Sequence, residues 1–462
     1  MSAPETSAWR GLIAGGNAAR FLVVTGGVAL HAVSIYVVAT IMPTVVGDLG
    51  GLPFFAWTTT LYVAGALTGA SAVPVLLARA SPRVAYRAGF IVFLIGSLLC
   101  ATAPSMVALL FGRLAQGIGG GMLPALAYST VRSIFPSNLH ARAITLFGSV
   151  WGVAALIGPS IGGIFAGFGT WRGAFLADLV IGLLFLLIGE RVLPAQIEGA
   201  PPRGRFPGLR LLLLAAAAMA LSTGGLSGRA LHSTLGIAVA IALVAAVLWL
   251  DGKAGVRLLP KGAFNPMVPI GAVSATLGFL ILSTTPGLFV PYLLQAGHGV
   301  SAILAGYASA TVALTWTGAS LVTAAANRAQ VRLSIAVGAP LMLLGIMVNA
   351  WALSAGPYMA VVAGQGLIGI GIGLSWSHLG ALMMAVAPAE SRATAGPFIT
   401  TTQTLASVFG SAIAGMVANL AGLPLAATPV SLGISAAILF GVLTIFPLVG
   451  WLTSLQVLRL TR

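Results

Sequence analysis

Acidic residues are nearly missing from this chain: seven Asp and Glu stand against 22 Lys and Arg in 462 residues, and the four charged types together make up 6%. A soluble domain carries about a quarter, so no water-soluble surface can be built from this inventory. Enzymatic chemistry lacks its usual parts as well. No GxxxxGK[ST] phosphate loop, no His/Cys/Asp metal spacing and no loop long enough for a catalytic domain occurs, so no enzyme, cofactor or metal site is expected. Cysteine is reduced to Cys100, which lies in an apolar run. An internal disulfide is thereby excluded, and a buried, unreactive thiol is the expected state.

What the chain does have is 58% hydrophobic residues, gathered in runs of about 20, the length that crosses a hydrocarbon core as a helix. The runs show no apolar–polar alternation, which excludes barrel strands and leaves helices as the spanning form. Breaks rich in charge, Pro and Gly divide them near 21–43, 55–78, 84–102, 105–131, 142–167 and 172–193, then 211–227 and 233–250, then 267–294, 301–324, 332–353, 357–387, 394–420 and 430–455. The expected organisation is therefore a six-helix bundle over residues 1–193, linkers and two extra helices over 194–266, and a second six-helix bundle over 267–462. No removable signal peptide is read at the N-terminus, because a cleavage site after a short apolar core is lacking.

The net charge of +15 does not point to nucleic acid, because the basic residues stand singly or in small groups between spans. They read as topology signals. With the N-terminus inside, nineteen Lys and Arg fall on the cytoplasmic side, at Arg10 and Arg20, Arg79 to Arg87, Arg132 and Arg142, Arg191 to Arg210, Lys253 to Lys261, Arg328 and Arg332, Arg392, and Arg459 and Arg462. Only Arg172 and Arg229 fall opposite. Basic residues favour short cytoplasmic loops, so both termini are expected in the cytoplasm of a cell with the protein in its inner membrane. Arg113 alone lies within a span.

The two outer blocks read as an internal repeat: RLAQGIGGGM from Arg113 returns, 252 residues on, as QGLIGIGIGL from Gln365 with the same glycine spacing.

Three motifs carry a family resemblance. They are ATIMPTVVGDLGG (39–51) followed by Trp57 and Tyr62, LLFGRLAQGIGGG (109–121) around Arg113, and GPSIGG (158–163). On these the chain resembles the major facilitator superfamily, specifically its fourteen-span drug:proton antiporter branch. Weaker echoes are WRGAFLADLVIG (171–182) and VPYLLQAGHGVSAILAG (290–306). The resemblance implies an all-α polytopic membrane protein with two pseudo-symmetric six-helix bundles and two extra central helices. It also implies secondary active transport of a lipophilic or amphiphilic small molecule by alternating access, with proton antiport. The alternatives are a facilitator or importer of one metabolite, and a non-transporting membrane sensor or scaffold. Two departures fall on chemistry. The aspartate that the family carries nine residues before Pro43 is here Ser34, and the turn LLARASPRVAYR (76–87) keeps its arginines but has no acid.

An arginine inside a bilayer must face a polar partner or cavity. Arg113 is therefore a candidate for gating or proton coupling, or else a structural cap on a neighbouring helix. Glu5, Glu198, Asp251 and Glu390 fall in the terminus or linkers, whereas Asp178 lies well inside the sixth span, where the family pattern has an asparagine. It is a candidate proton site or ion partner. His31, three residues before Ser34 on one helical face, is the first candidate proton carrier, because imidazole titrates in the physiological range; a packing histidine is the other reading. By the resemblance, His31, Ser34, Tyr36, Arg113, Gln116, Trp151, Gln365, Trp376 and His378 line the substrate path. Gly158, Pro159, Gly162 and Gly163 are read as a packing device. The expected partners are a small-molecule substrate, protons and the lipid bilayer, with no nucleic acid, and the chain is expected to be a monomer.

Overall fold

The structure is a computed structural model that describes residues 17–136, 139–195, 207–254, 260–387 and 392–461. Arg10, Arg203, Arg205, Arg257 and Arg462 lie outside the described residues, as do Glu5, Glu198 and Glu390 and the side chains of Arg132, Arg142 and Arg392. All the secondary structure among the described residues is helical. The helices are α1 (Asn17–Leu49), α2 (Trp57–Leu77), α3 (Pro82–Ala101), α4 (Met106–Ile134), α5 (His140–Gly167), α6 (Trp171–Val192), α7 (Gly208–Gly225) and α8 (Ala230–Lys253). There follow α9 (Pro269–Leu282), α10 (Val290–His298), α11 (Ala302–Val322), α12 (Arg328–Ala355), α13 (Tyr358–Val386), α14 (Arg392–Leu420), α15 (Pro429–Leu443) and α16 (Ile445–Leu460).

With α9 and α10 counted as one segment, and α15 and α16 as another, the fourteen expected spans are all present as helix. Thirteen of these segments, among the described residues, are long and apolar enough to cross a bilayer. The fourteenth, α11, falls short because Ser309, Thr311, Thr315, Thr317 and Ser320 dilute its hydropathy.

Several boundaries differ from those read in the sequence. Helix α1 runs unbroken through Pro43 to Leu49, where Gly50 and Gly51, with φ of 67° and 78°, turn the chain. Only glycine takes that left-handed conformation without strain. The ninth span is interrupted: after Leu282 the chain passes through a tight 3-10 turn, Thr285–Phe289, before α10. Pro286 has no N–H to continue an α-helix, and it disfavours helical geometry at the residue before it. The fourteenth span breaks likewise at Thr444, three residues before Pro447. Asp251, expected in a linker, belongs to the last turn of α8 and is buried against Arg210 of α7, with side chains 4% and 14% exposed. Pairing within the helical hairpin is what allows an acid there.

By proximity the described residues group into two compact units, one within 1–50 and 61–208 and the other within 51–60 and 209–462. In the second unit α7 packs on α14, where Ala217 and Leu221 cluster with Ala412 and Ala240, and Gly225 lies against Met416. In the first unit the termini of α6 gather the cationic loops. Arg20 Nε donates to the Val192 carbonyl at 3.1 Å, Arg83 Nε donates to that of Leu193 at 2.8 Å, and Arg87 pairs with Glu190. Cations at a helix C-terminus satisfy its free carbonyls and its dipole. At the other end Asp48 accepts from Trp171 Nε1 at 3.0 Å and Arg172 at 2.7 Å, while Arg172 also lies over the Trp171 ring.

Candidate functional site

Small residues fix the floor of the first unit. A Cβ on Gly117 would strike the Tyr62 carbonyl, and one on Gly121 the Ala66 carbonyl, so α4 touches α2 backbone to backbone. The same holds on α5: a Cβ at Gly158 would lie 2.5 Å from Tyr36 Cβ, and one at Gly162 would lie 2.8 Å from the Val37 carbonyl oxygen. Helix α5 runs through Pro159, and Gly163 is buried beside it. The GPSIGG stretch thus sets the distance between α5 and α1.

On this frame the polar side chains converge. Arg113 is 2% exposed and donates to Gln116 Oε1, one turn along α4. Gln116 Nε2 donates both its hydrogens, to Ser97 Oγ at 3.0 Å and to Asp178 Oδ2 at 3.2 Å. Asp178, 5% exposed, comes from α6 and stands beside Ser34 of α1, whose hydroxyl makes no hydrogen bond of ordinary geometry. On the opposite side Arg113 stacks over Tyr62, with Cζ 4.0 Å from the ring centroid. A desolvated contact of this kind contributes about 2 kcal/mol. Tyr62 in turn lies against His31, with ring centroids 5.4 Å apart, and its hydroxyl is 2.8 Å from His31 Nδ1 and donates to the His31 carbonyl at 3.2 Å. Trp151 meets the His31 ring edge-on at 5.8 Å and is 37% exposed.

The result is one buried chain of contacts, Asp178–Gln116–Arg113–Tyr62–His31, built from four helices. An acid placed there carries a charge complementary to Arg113 when ionised and none when protonated. Helix α6 also supplies both acids that the resemblance finds missing: Asp178 beside Ser34, and Glu190 against the basic turn that holds Arg87.

Of the other sequence candidates, Tyr36 is half-buried against Gly158. Gln365, Trp376 and His378 belong to the second unit. Trp376 packs edge-on against Trp316 at 5.4 Å, and His378 Nε2 makes no hydrogen bond. Gln365 is wholly buried, and neither amide atom has a partner. Sequence reading did not single out Ser97, Gly287 or the bridging role of Tyr62. Tyr62 carried a signal in the WTTTLY start of α2; Ser97 and Gly287 carried none.

The profile of the Major Facilitator Superfamily matches residues 24–411. The chain belongs to that superfamily. Among relatives of this major facilitator protein, a Mycobacterium tuberculosis protein named "Probable multidrug-efflux transporter" is 34% identical over 91% of both chains. The multidrug transporter protein MdtP of Bacillus subtilis is 31% identical over 63% of this chain and 55% of its own length. Solved structures share the fold. A POT family transporter in complex with 5-aminolevulinic acid superposes with a TM-score of 0.67 at 14% identity, over 95% of this chain and 96% of that one. A bacterial homologue of the human lysosomal transporter Spinster gives 0.63 at 15% identity, over 100% and 98%. The protein is thus a membrane-spanning transporter of the major facilitator fold.

Proposed function

We propose that this protein exports lipophilic small molecules across the cytoplasmic membrane by alternating access, with both termini in the cytoplasm and proton entry as the driving force. The observation that carries the coupling is the buried Asp178 carboxyl, tied through Gln116 to Arg113 beside Ser34. The names of the relatives, a probable multidrug-efflux transporter and a multidrug transporter protein, support the substrate class.

Asp178 ranks ahead of His31 as the proton carrier on electrostatic grounds. A protonated His31 would lie on one side of the Tyr62 ring while Arg113 lies over that same ring, placing two like charges close together. An ionised Asp178 is instead complementary to Arg113. Protonation leaves Asp178 an acceptor oxygen for Gln116 but removes the charge that attracts Arg113, and that change can be read by the helices on which the two stand. The departure at Ser34 is compatible with proton coupling on this reading, because a carboxyl from α6 stands beside it.

The test is accumulation of labelled lipophilic compounds in cells with and without the protein, combined with proton release from proteoliposomes on substrate addition. Lower accumulation together with substrate-dependent proton movement is the expected result. Higher accumulation would mean import, and no change across many compounds would mean a sensor or scaffold. Export with no proton movement would overturn the coupling alone.

A further inference from the structure

The second unit repeats the α4 frame of the first without its chemistry. Gly112, Gly117, Gly119 and Gly121 return 252 residues later as Gly364, Gly369, Gly371 and Gly373 on α13, and corresponding neighbours press on them. Gly117 and Gly121 meet the carbonyls of Tyr62 and Ala66, whereas Gly369 and Gly373 meet those of Val312 and Trp316. Gly112 meets Cys100; Gly364 meets Asn349. This register puts Gln365 in the place of Arg113, Ile368 in that of Gln116, and Val312 in that of Tyr62.

The residues at the two places whose counterparts hold Arg113, Ile368 and Val312, are therefore apolar. Yet the position is not apolar itself: Gln365 is 0% exposed and hydrogen-bonded at neither Oε1 nor Nε2. Burying an amide without partners is unfavourable, and a hydrocarbon side chain of the same shape would avoid the cost. The carboxamide faces Gly287, where a Cβ would lie 3.6 Å from Oε1 and 3.7 Å from Nε2. Gly287 sits in the 3-10 turn that interrupts the ninth span, and Ser309 Oγ donates to its carbonyl at 3.3 Å. Interrupted helices at membrane depth expose backbone groups where a polar guest is received.

We propose that Gln365 and the Gly287 turn form a hydrogen-bonding subsite for a neutral polar group, an amide, carbonyl or hydroxyl, of an otherwise lipophilic substrate. A carboxamide donates through Nε2 and accepts through Oε1, so it matches an uncharged group that does both. A charged group would find apolar residues at the two flanking places of the repeat. The subsite rests on the export reading for its substrate class, but its binding is separable from export.

Two probes distinguish the outcomes: chloramphenicol, with amide and hydroxyl groups, and tetraphenylphosphonium, with neither. Wild type and Gln365→Met are compared by calorimetric binding in detergent and by transport in proteoliposomes. Gln365→Met is expected to lower the chloramphenicol-to-tetraphenylphosphonium ratio of affinities, and of kcat/KM, by about tenfold, the equivalent of one lost hydrogen bond. The shift should fall on KM, with thermal stability equal to or above that of wild type. Gly287→Ala narrows the same place and should lower the ratio by less. Ratios within about twofold of wild type in both assays would overturn the subsite, because Gln365 would then hold only water or serve packing. A wild type that binds chloramphenicol in preference to the variant but exports neither probe would support the subsite and overturn the export reading.

Discussion

Gln116 of α4 donates to Asp178 of α6 across 3.2 Å, and it is the side chain through which the only acid deep in the first unit's described residues reaches Arg113. Replacing Asp178 by Asn keeps the shape and an acceptor oxygen but removes the titration. Asp178→Asn should lose gradient-driven uphill transport by at least about tenfold while retaining downhill substrate exchange, both measured in proteoliposomes with an imposed pH gradient. Full gradient-driven transport in Asp178→Asn and His31→Gln alike would remove both groups from the coupling.

Arg113 donates through Nη1 to Gln116 Oε1 at one end and lies face-on over the Tyr62 ring at the other. A lysine keeps the charge but neither geometry. Arg113→Lys should fold and reach the membrane yet transport at least about tenfold more slowly, because one point charge cannot engage Gln116 and the Tyr62 ring together. Transport at the wild-type rate would show that charge alone is what position 113 supplies.

Helix α5 provides its own control for the packing reading. A Cβ at Gly158 would crowd Tyr36 and one at Gly162 the Val37 carbonyl, whereas one at Gly152 meets nothing within 4 Å. Gly158→Ala and Gly162→Ala should each destabilise by about 1–3 kcal/mol, and Gly152→Ala should change stability by less than about 0.5 kcal/mol. Thermal unfolding in detergent gives the comparison; equal effects at all three sites would reject close packing of α5 on α1.

Arg210 and Asp251 tie α7 to α8 out of water. Asp251→Asn or Arg210→Met alone breaks this buried ion pair, and each should cost about 3–5 kcal/mol. The exchange Arg210→Asp with Asp251→Arg should recover part of that loss in the same unfolding measurement, and no recovery would mean that the pair's surroundings, rather than the pair, hold the hairpin.

Cys100 is 0% exposed, so cysteine labelling starts without a native background. Arg229→Cys should react with an impermeant maleimide added to intact cells, and Lys261→Cys only after the cells are opened. The reverse order would invert the topology.

Much of the fold was legible in the sequence, since bilayer thickness dictates the length of each span and the interior must be apolar; both follow from composition along the line of the chain. Arg113 and Gln116 could be paired from their spacing alone, because residues three apart share a helical face. The repeat was visible in the glycines, whose spacing is imposed by helices that touch. What the sequence left undecided were partners far apart in the chain and places where a helix stops within the membrane. Asp178 and Gln116 are 62 positions apart, and nothing local says that α6 turns its acid inward. Asp251 read as a linker residue because an unpaired acid belongs in water; Arg210, 41 positions earlier, is what makes burial possible. The interruption at Thr285–Phe289 likewise awaited the tertiary structure, since Pro43 and Pro159 are carried within continuous helices while Pro286 lies in a break. A proline frees backbone groups wherever it stands, and only the neighbouring helices determine whether those groups are satisfied in an unbroken helix or in a turn.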